Sequence, residues 1–303
     1  MTEQTGNRNR VRNRWGKINL SALWTYLLAL LLIVIVLFPL AWSVSSSLKG
    51  FEEQYKSPHL LIPENPTLLN YQWLFSKLPN FPRQLMNSFI VTLTSVALTA
   101  FLATMAGYGF ARIEFRGRDL LFYTVIASMF IPRSGGLMAQ YELMSFLKLR
   151  NLPGIILAFS AALPVAIFIM RQTFLAIPRE LEESAFIDGA TTWHVFRSIA
   201  LPLSTSGLIV ICILKFVEVW GDYLFTLTML DEPEHFTAAV GVAIVKSFIS
   251  VDTVGSGSGA NVSIAPDGVL GAANVVVMTP VVLLYIFMQK WFVRGLTEGA
   301  LKM

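Results

Sequence analysis

The chain has 303 residues, of which 54% are hydrophobic and 14% charged, against roughly 25% charged in an ordinary soluble domain. Intrinsic disorder is excluded by that balance, and a single cysteine, Cys212, excludes a disulfide scaffold or a cysteine-based metal site. The net charge of +4 sits wholly in residues 1–17, where Arg8, Arg10, Arg12, Arg14 and Lys17 face one acid, Glu3, so nothing downstream offers the basic face that a nucleic-acid partner needs.

Residues 1–17 read as a basic cytoplasmic leader and 18–303 as a single transmembrane domain. No charge occurs between Lys17 and Lys49, and Leu23–Val44 is long enough for a first span at 23–44. It is too long for the apolar region of a cleaved secretory signal, so it is read as retained. A second span is expected at 88–111, whose small and hydroxylated residues allow close helix contact in a bilayer. The third, at 120–138, is weaker. Leu120–Pro132 covers only about 20 Å at 1.5 Å per residue, so the helix is expected to run on past Arg133, which snorkels to the interface. Spans four, five and six are expected at 152–172, 203–230 and 268–290.

The fold class is therefore an all-α membrane protein with six transmembrane helices and both termini on one side. The leader, the 112–118 and 171–202 links and the tail from Lys290 hold 14 Lys and Arg, the opposite links eight, which makes the termini cytoplasmic. Among the outer links, 49–83 reads as a long Pro-punctuated loop and Leu137–Leu149 as an amphipathic surface helix. The link 231–267 carries a Gly/Ser run at 255–259 that reads as a flexible linker.

The cytoplasmic link 171–202 is too long and too patterned to be a simple turn. Pro178 suits a first helical turn, and Glu180, Glu182 and Glu183 sit where acids favour a helix N-terminus, which predicts a short helix over Pro178–Asp188. Gly189 ends it, Thr191 or Thr192 caps a second helix, and that helix stops before Pro202. Leu181, Ala185 and Phe186 on the first arm and Trp193, Phe196, Ile199 and Ala200 on the second form an apolar ridge flanked by Glu182, Glu183, Asp188 and Arg197. Such a ridge either docks a partner or packs back on the chain's own helices.

The run Glu183-Ser184-Ala185, three residues, Gly189, nine residues, Ile199, one residue, Leu201-Pro202 resembles the EAA loop of ABC importer permeases, E-A-A-x3-G-x9-I-x-L-P. The text around it is similar to the carbohydrate-type permeases, specifically the maltose-type second membrane subunit, over nearly the whole chain. Ser184 stands where the motif usually has Ala. The resemblance implies that 178–202 is a coupling loop seated on a cytoplasmic ATPase, with Glu182, Glu183, Ser184, Ala185, Asp188, Gly189, Trp193, Phe196, Ile199, Leu201 and Pro202 at the contact. It implies a bacterial-type inner-membrane permease for a carbohydrate, partnered by a second permease chain, two ATPase subunits and an extracytoplasmic solute-binding protein. No cofactor is expected on this chain; ATP and Mg belong to the ATPase. The tail from Arg294 is a second candidate contact with it.

No G-x-x-x-x-G-K-[ST] occurs, so the chain has no P-loop of its own. His59, His194 and His235 lie far apart in links and read as surface residues rather than ligands. Lys215, Glu218 and Asp222 are spaced to share one helical face in span five, where they either line a pathway or neutralise one another. Trp220, Asp222, Tyr223 and Phe225 resemble a stretch common in sugar-importer permeases, which makes Trp220, Asp222 and Tyr223 candidate pathway-lining residues beside Lys215 and Glu218. The rival reading is an ion-gradient-driven secondary transporter using Lys215, Glu218 and Asp222. A membrane-embedded enzyme would need a catalytic constellation, which the sequence does not offer.

Overall fold

The structure is a computed structural model that describes residues 20–131, 133–245 and 265–300, with side chains described outside 20–23, 133–134 and 291–300. Regular structure among the described residues is helical throughout. α1 (Leu20–Leu48) is followed by two short helices, α2 (Phe51–Lys56) and α3 (Leu69–Lys77), and by the long α4 (Phe81–Arg112). The segment 49–83, expected as a loop, thus folds. The reason is a buried polar knot: Asn70 Nδ2 donates to the carbonyls of Ser47 and Lys49, both at 2.9 Å, which fixes α3 against the end of α1.

α4 is the axis of the molecule. It begins well before the expected 88, because Pro82 suits its first turn and Gln84 and Asn87 find partners there. Asn87 Nδ2 donates to the carbonyls of Glu234 and Phe236, and Gln84 Nε2 to that of Pro233. Further along, Thr92, Ser95, Thr99 and Thr104 are buried, so the small polar stripe packs inward. Gly107 allows the closest approach: a Cβ there would stand 2.6 Å from Met170 Cβ and 3.0 Å from the Arg171 nitrogen.

The expected third span is not one helix. α5 (Arg118–Ala127) passes into a 3₁₀ turn at Ser128–Phe130 and ends, and α6 (Leu137–Phe146) starts afresh after a second such turn. Pro132 and the pair Gly135–Gly136 explain the break. The expected fourth span is bent by 45° between α7 (Leu152–Ala161) and α8 (Pro164–Leu175), where Pro164 cannot donate to the preceding turn.

α9 (Arg179–Ile187) and α10 (Thr192–Leu203) follow, and α10 turns 71° into α11 (Thr205–Trp220). α10 does not stop before Pro202. A π turn at Phe196–Ala200, closed by the Leu201 N–H on the Phe196 carbonyl, widens the helix just ahead of the proline and carries it to Leu203. The expected fifth span also divides, because Gly221 ends α11 before α12 (Leu224–Met229) begins. A short helix α13 (238–245) and the long α14 (Pro266–Ala300) complete the fold.

Among the described residues, three helices are long and apolar enough to cross a membrane, at Trp24–Leu48, Phe81–Arg112 and Pro266–Lys290, and the number is five if each bent pair is one span. Core clusters lie on both halves of α4. One joins Val91 to Ile155, Phe159, Val219 and Met229, the other joins Ala103 and Tyr108 to Met170, Phe174, Phe196 and Ile211. α1 instead exposes Trp24–Leu40 on all sides, an apolar surface that needs lipid or another apolar chain.

Candidate functional site

α9 and α10 meet at Gly189, whose φ is +84°. The Ala190 N–H donates to the Ala185 carbonyl and the Gly189 N–H to the Phe186 carbonyl, at 2.9 and 3.0 Å. Those two bonds form a Schellman cap, which glycine completes without the Cβ penalty of a left-handed residue. A Cβ on Gly189 would touch nothing within 4 Å, so only the backbone conformation constrains this position. Thr191 Oγ1 accepts from the His194 N–H at 3.3 Å and starts α10.

The apolar ridge divides between two sides. Leu181, Phe186, Ile187 and Trp193 are exposed, Ile187 at 86%, and Glu183, Ser184 and Asp188 stand beside them in solvent. Phe196 and Ala200 turn inward, Phe196 against Tyr108 at a ring separation of 4.9 Å. Ala185, Ile199 and Leu201 are half-buried, and Pro202 is exposed. Helical periodicity places Leu181, Ala185 and Phe186 on the ridge and omits Ile187, whereas in the structure Ala185 is half-buried and Ile187 joins the exposed face.

Glu182 is not a rim charge. Its Oε1 accepts from Arg112 Nε at 2.8 Å, both side chains are 7% exposed, and Arg112 Nη2 also donates to the Ile177 carbonyl at 2.7 Å. The acid in the first turn of α9 and the base in the last turn of α4 each sit at the favourable end of a helix dipole.

A second feature lies mid-way along α4. A cleft of about 390 Å³ opens between Thr99, Met129, Ala162, Ile211, Lys215 and Glu218. Lys215, 4% exposed, donates from Nζ to the Ala162 carbonyl at 3.3 Å and pairs with Glu218 Oε2 at 3.2 Å, while Glu218 reaches the open side. Asp222 does not join them. α11 has ended at Trp220, and the Asp222 carboxylate accepts from the Thr226 N–H and hydroxyl, both at 2.9 Å, capping α12. Trp220 is likewise no lining residue: it is 3% exposed, packs on Phe89 and Phe216, and donates from Nε1 to the Val277 carbonyl at 2.9 Å. Tyr223 is exposed. His59 and His194 lie at the surface, and His235 meets Glu232 at 3.2 Å. The Gly/Ser run at 255–259 and the leader fall outside the described residues.

A family model described as the binding-protein-dependent transport system inner membrane component matches residues 84–298. The chain is 33% identical over 279 residues to a sulfoquinovosyl glycerol transport system permease protein, SmoH, of Agrobacterium fabrum, covering 91% of this chain and 93% of that one. It is 31% identical over 268 residues to the trehalose transport system permease protein SugB of Mycobacterium tuberculosis, covering 88% and 92%. Its fold is similar to a chain in the crystal structure of a bacterial ABC transporter involved in the import of the acidic polysaccharide alginate. There the TM-score is 0.82 at 21% identity, over 90% of this chain and 96% of that one.

Proposed function

The chain belongs to the binding-protein-dependent transport system inner membrane components, and on that premise we propose that it imports a carbohydrate as one of two permease subunits of an ATP-driven complex. The relatives named for sulfoquinovosyl glycerol and trehalose transport support a saccharide cargo. Three long helices and two bent pairs support five of the six crossings, and the sixth is assigned to the segment that begins with α5. The distribution of Lys and Arg supports cytoplasmic termini.

The observation that carries the mechanism is the outward face of α9 and α10. Leu181, Phe186, Ile187 and Trp193 form an apolar centre rimmed by Glu183 and Asp188, the composition of a specific interface with a cytoplasmic ATPase. Gly189 sets the angle between the two arms. Closure of the ATPase pair displaces α9, and the spans pass from an outward-facing to an inward-facing arrangement. ATP supplies the drive because it favours one of two conformations. The cleft beside Lys215 and Glu218 is the candidate wall of the pathway, which the second permease chain completes.

Affinity purification in mild detergent tests this reading. Wild type should bring down an ATPase and a second permease, and Gly189→Val and Glu183→Lys should lose the ATPase while keeping the permease. A chain that purifies alone and supports gradient-driven uptake would overturn it.

A further inference from the structure

Of the nine residues of α9, one has a buried side chain, and it is charged: Glu182. Leu181, Phe186 and Ile187, the residues that ordinarily hold a short amphipathic helix to its protein, all face outward. The Glu182 carboxylate accepts from Arg112 and also meets the Tyr108 hydroxyl, both on α4, and Arg112 holds the Ile177 carbonyl in the turn that enters α9. Arg112 is the last residue of α4, and that end of α4 is itself clamped. Gly107 lies against Met170 of α8, and Tyr108 packs on both Phe174 of α8 and Phe196 of α10, at 5.3 and 4.9 Å.

We propose that the Arg112–Glu182 pair is a strut that passes displacement of α9 directly to α4, making both residues positioning residues for the transport cycle. The proposal rests on α9 being the ATPase-docking helix. A buried ion pair suits the task better than apolar packing. Apolar surfaces slide over one another at little cost, whereas parting two buried charges leaves each without its partner, so the two helices move together. α4 also carries Thr99 on the wall of the cleft beside Lys215, so a shift of its cytoplasmic end reaches the pathway along one rigid helix.

The test uses the whole complex, with its ATPase, second permease and binding protein, reconstituted in liposomes. Wild type is compared with Arg112→Met, Glu182→Gln and the swapped pair R112E/E182R. The readout is solute imported per ATP hydrolysed, alongside recovery of ATPase on purification. The single variants should keep the ATPase yet fall by roughly tenfold in that ratio, within the range of coupling between linked sites, and the swap should recover part of the loss, because it restores the charge pair but reverses both helix-dipole contacts and loses the bond to the Ile177 carbonyl. Single variants that import at the wild-type ratio would overturn the strut, as would a swap that assembles and stays as uncoupled as the singles. Failure of all three variants to assemble would make the pair a folding element only and overturn it too. If the singles fail to assemble but the swap transports, charge pairing itself is the requirement and the strut stands. A wild-type chain that recruits no ATPase counts against the docking reading instead.

Discussion

Lys215 Nζ donates to the main-chain carbonyl of Ala162 at 3.3 Å, at the point where α7 gives way to α8. Pro164 has no N–H, so the bend it forces leaves carbonyls of the preceding turn without helical partners. A lysine from α11 answers one of them. The charge in mid-chain is thus tied first to the break in the helix and second to Glu218, 3.2 Å away.

Replacing Lys215 with Met removes the donor and keeps most of the volume, leaving the part-buried Ala162 carbonyl without that hydrogen bond. The expected cost is about 1–3 kcal/mol, read as a lowered midpoint of thermal unfolding in detergent. Glu218→Gln should cost much less, since that side chain is 44% exposed. Equal destabilisation by the two would mean that the ion pair, and not the carbonyl bond, is what matters.

Gly107 and Gly109 offer a matched pair on α4. A Cβ at 107 would press into Met170 and the backbone of Arg171, whereas at 109 it would meet nothing within 4 Å. Gly107→Ala should push α4 off α8 and destabilise by about 1–3 kcal/mol. Gly109→Ala should be neutral or gain up to about 1 kcal/mol from helix propensity. Thermal unfolding of the two variants checks the contrast, and a tolerated Gly107→Ala would contradict the close approach.

The helix, glycine turn and helix at 179–203 were legible in the sequence because their determinants are local: an acidic first turn, Gly189, and Thr191 as cap. The role of Glu182 was not, because its partner Arg112 lies 70 residues away and reads on its own as an interfacial base. Periodicity misplaced Asp222 for a different reason. The 3.6-residue spacing from Lys215 holds only while the helix lasts, and Gly221 was the visible signal that it does not. Pro164 and Pro202 announced breaks of different kinds, a 45° bend and a π turn, and which one forms depends on packing partners that no single stretch encodes.

Gly189 should show a graded response set by backbone conformation alone. With φ at +84° and open space around the Cβ position, Asn should be tolerated, Ala should cost about 1–2 kcal/mol locally, and Val should cost more. Co-purified ATPase should fall in the order Gly, Asn, Ala, Val while unfolding of the whole chain changes little. Equal loss for Asn and Val would point to a steric requirement at the partner surface rather than to the turn.

Ile187 and Phe196 separate docking from folding within one loop. Ile187 is 86% exposed, so Ile187→Asp should leave the thermal midpoint unchanged and abolish recovery of the ATPase. Phe196 is buried against Tyr108, Phe174 and Trp193, and Phe196→Ala should lose about 3–5 kcal/mol of stability, as large-to-small changes in packed cores do. Any ATPase lost with Phe196→Ala should therefore track the fraction unfolded and return on cooling or with a stabilising lipid, whereas the loss with Ile187→Asp should persist in fully folded protein. If Ile187→Asp keeps its ATPase, the exposed face of α9 is not the contact, and the apolar surface there must be covered by something else.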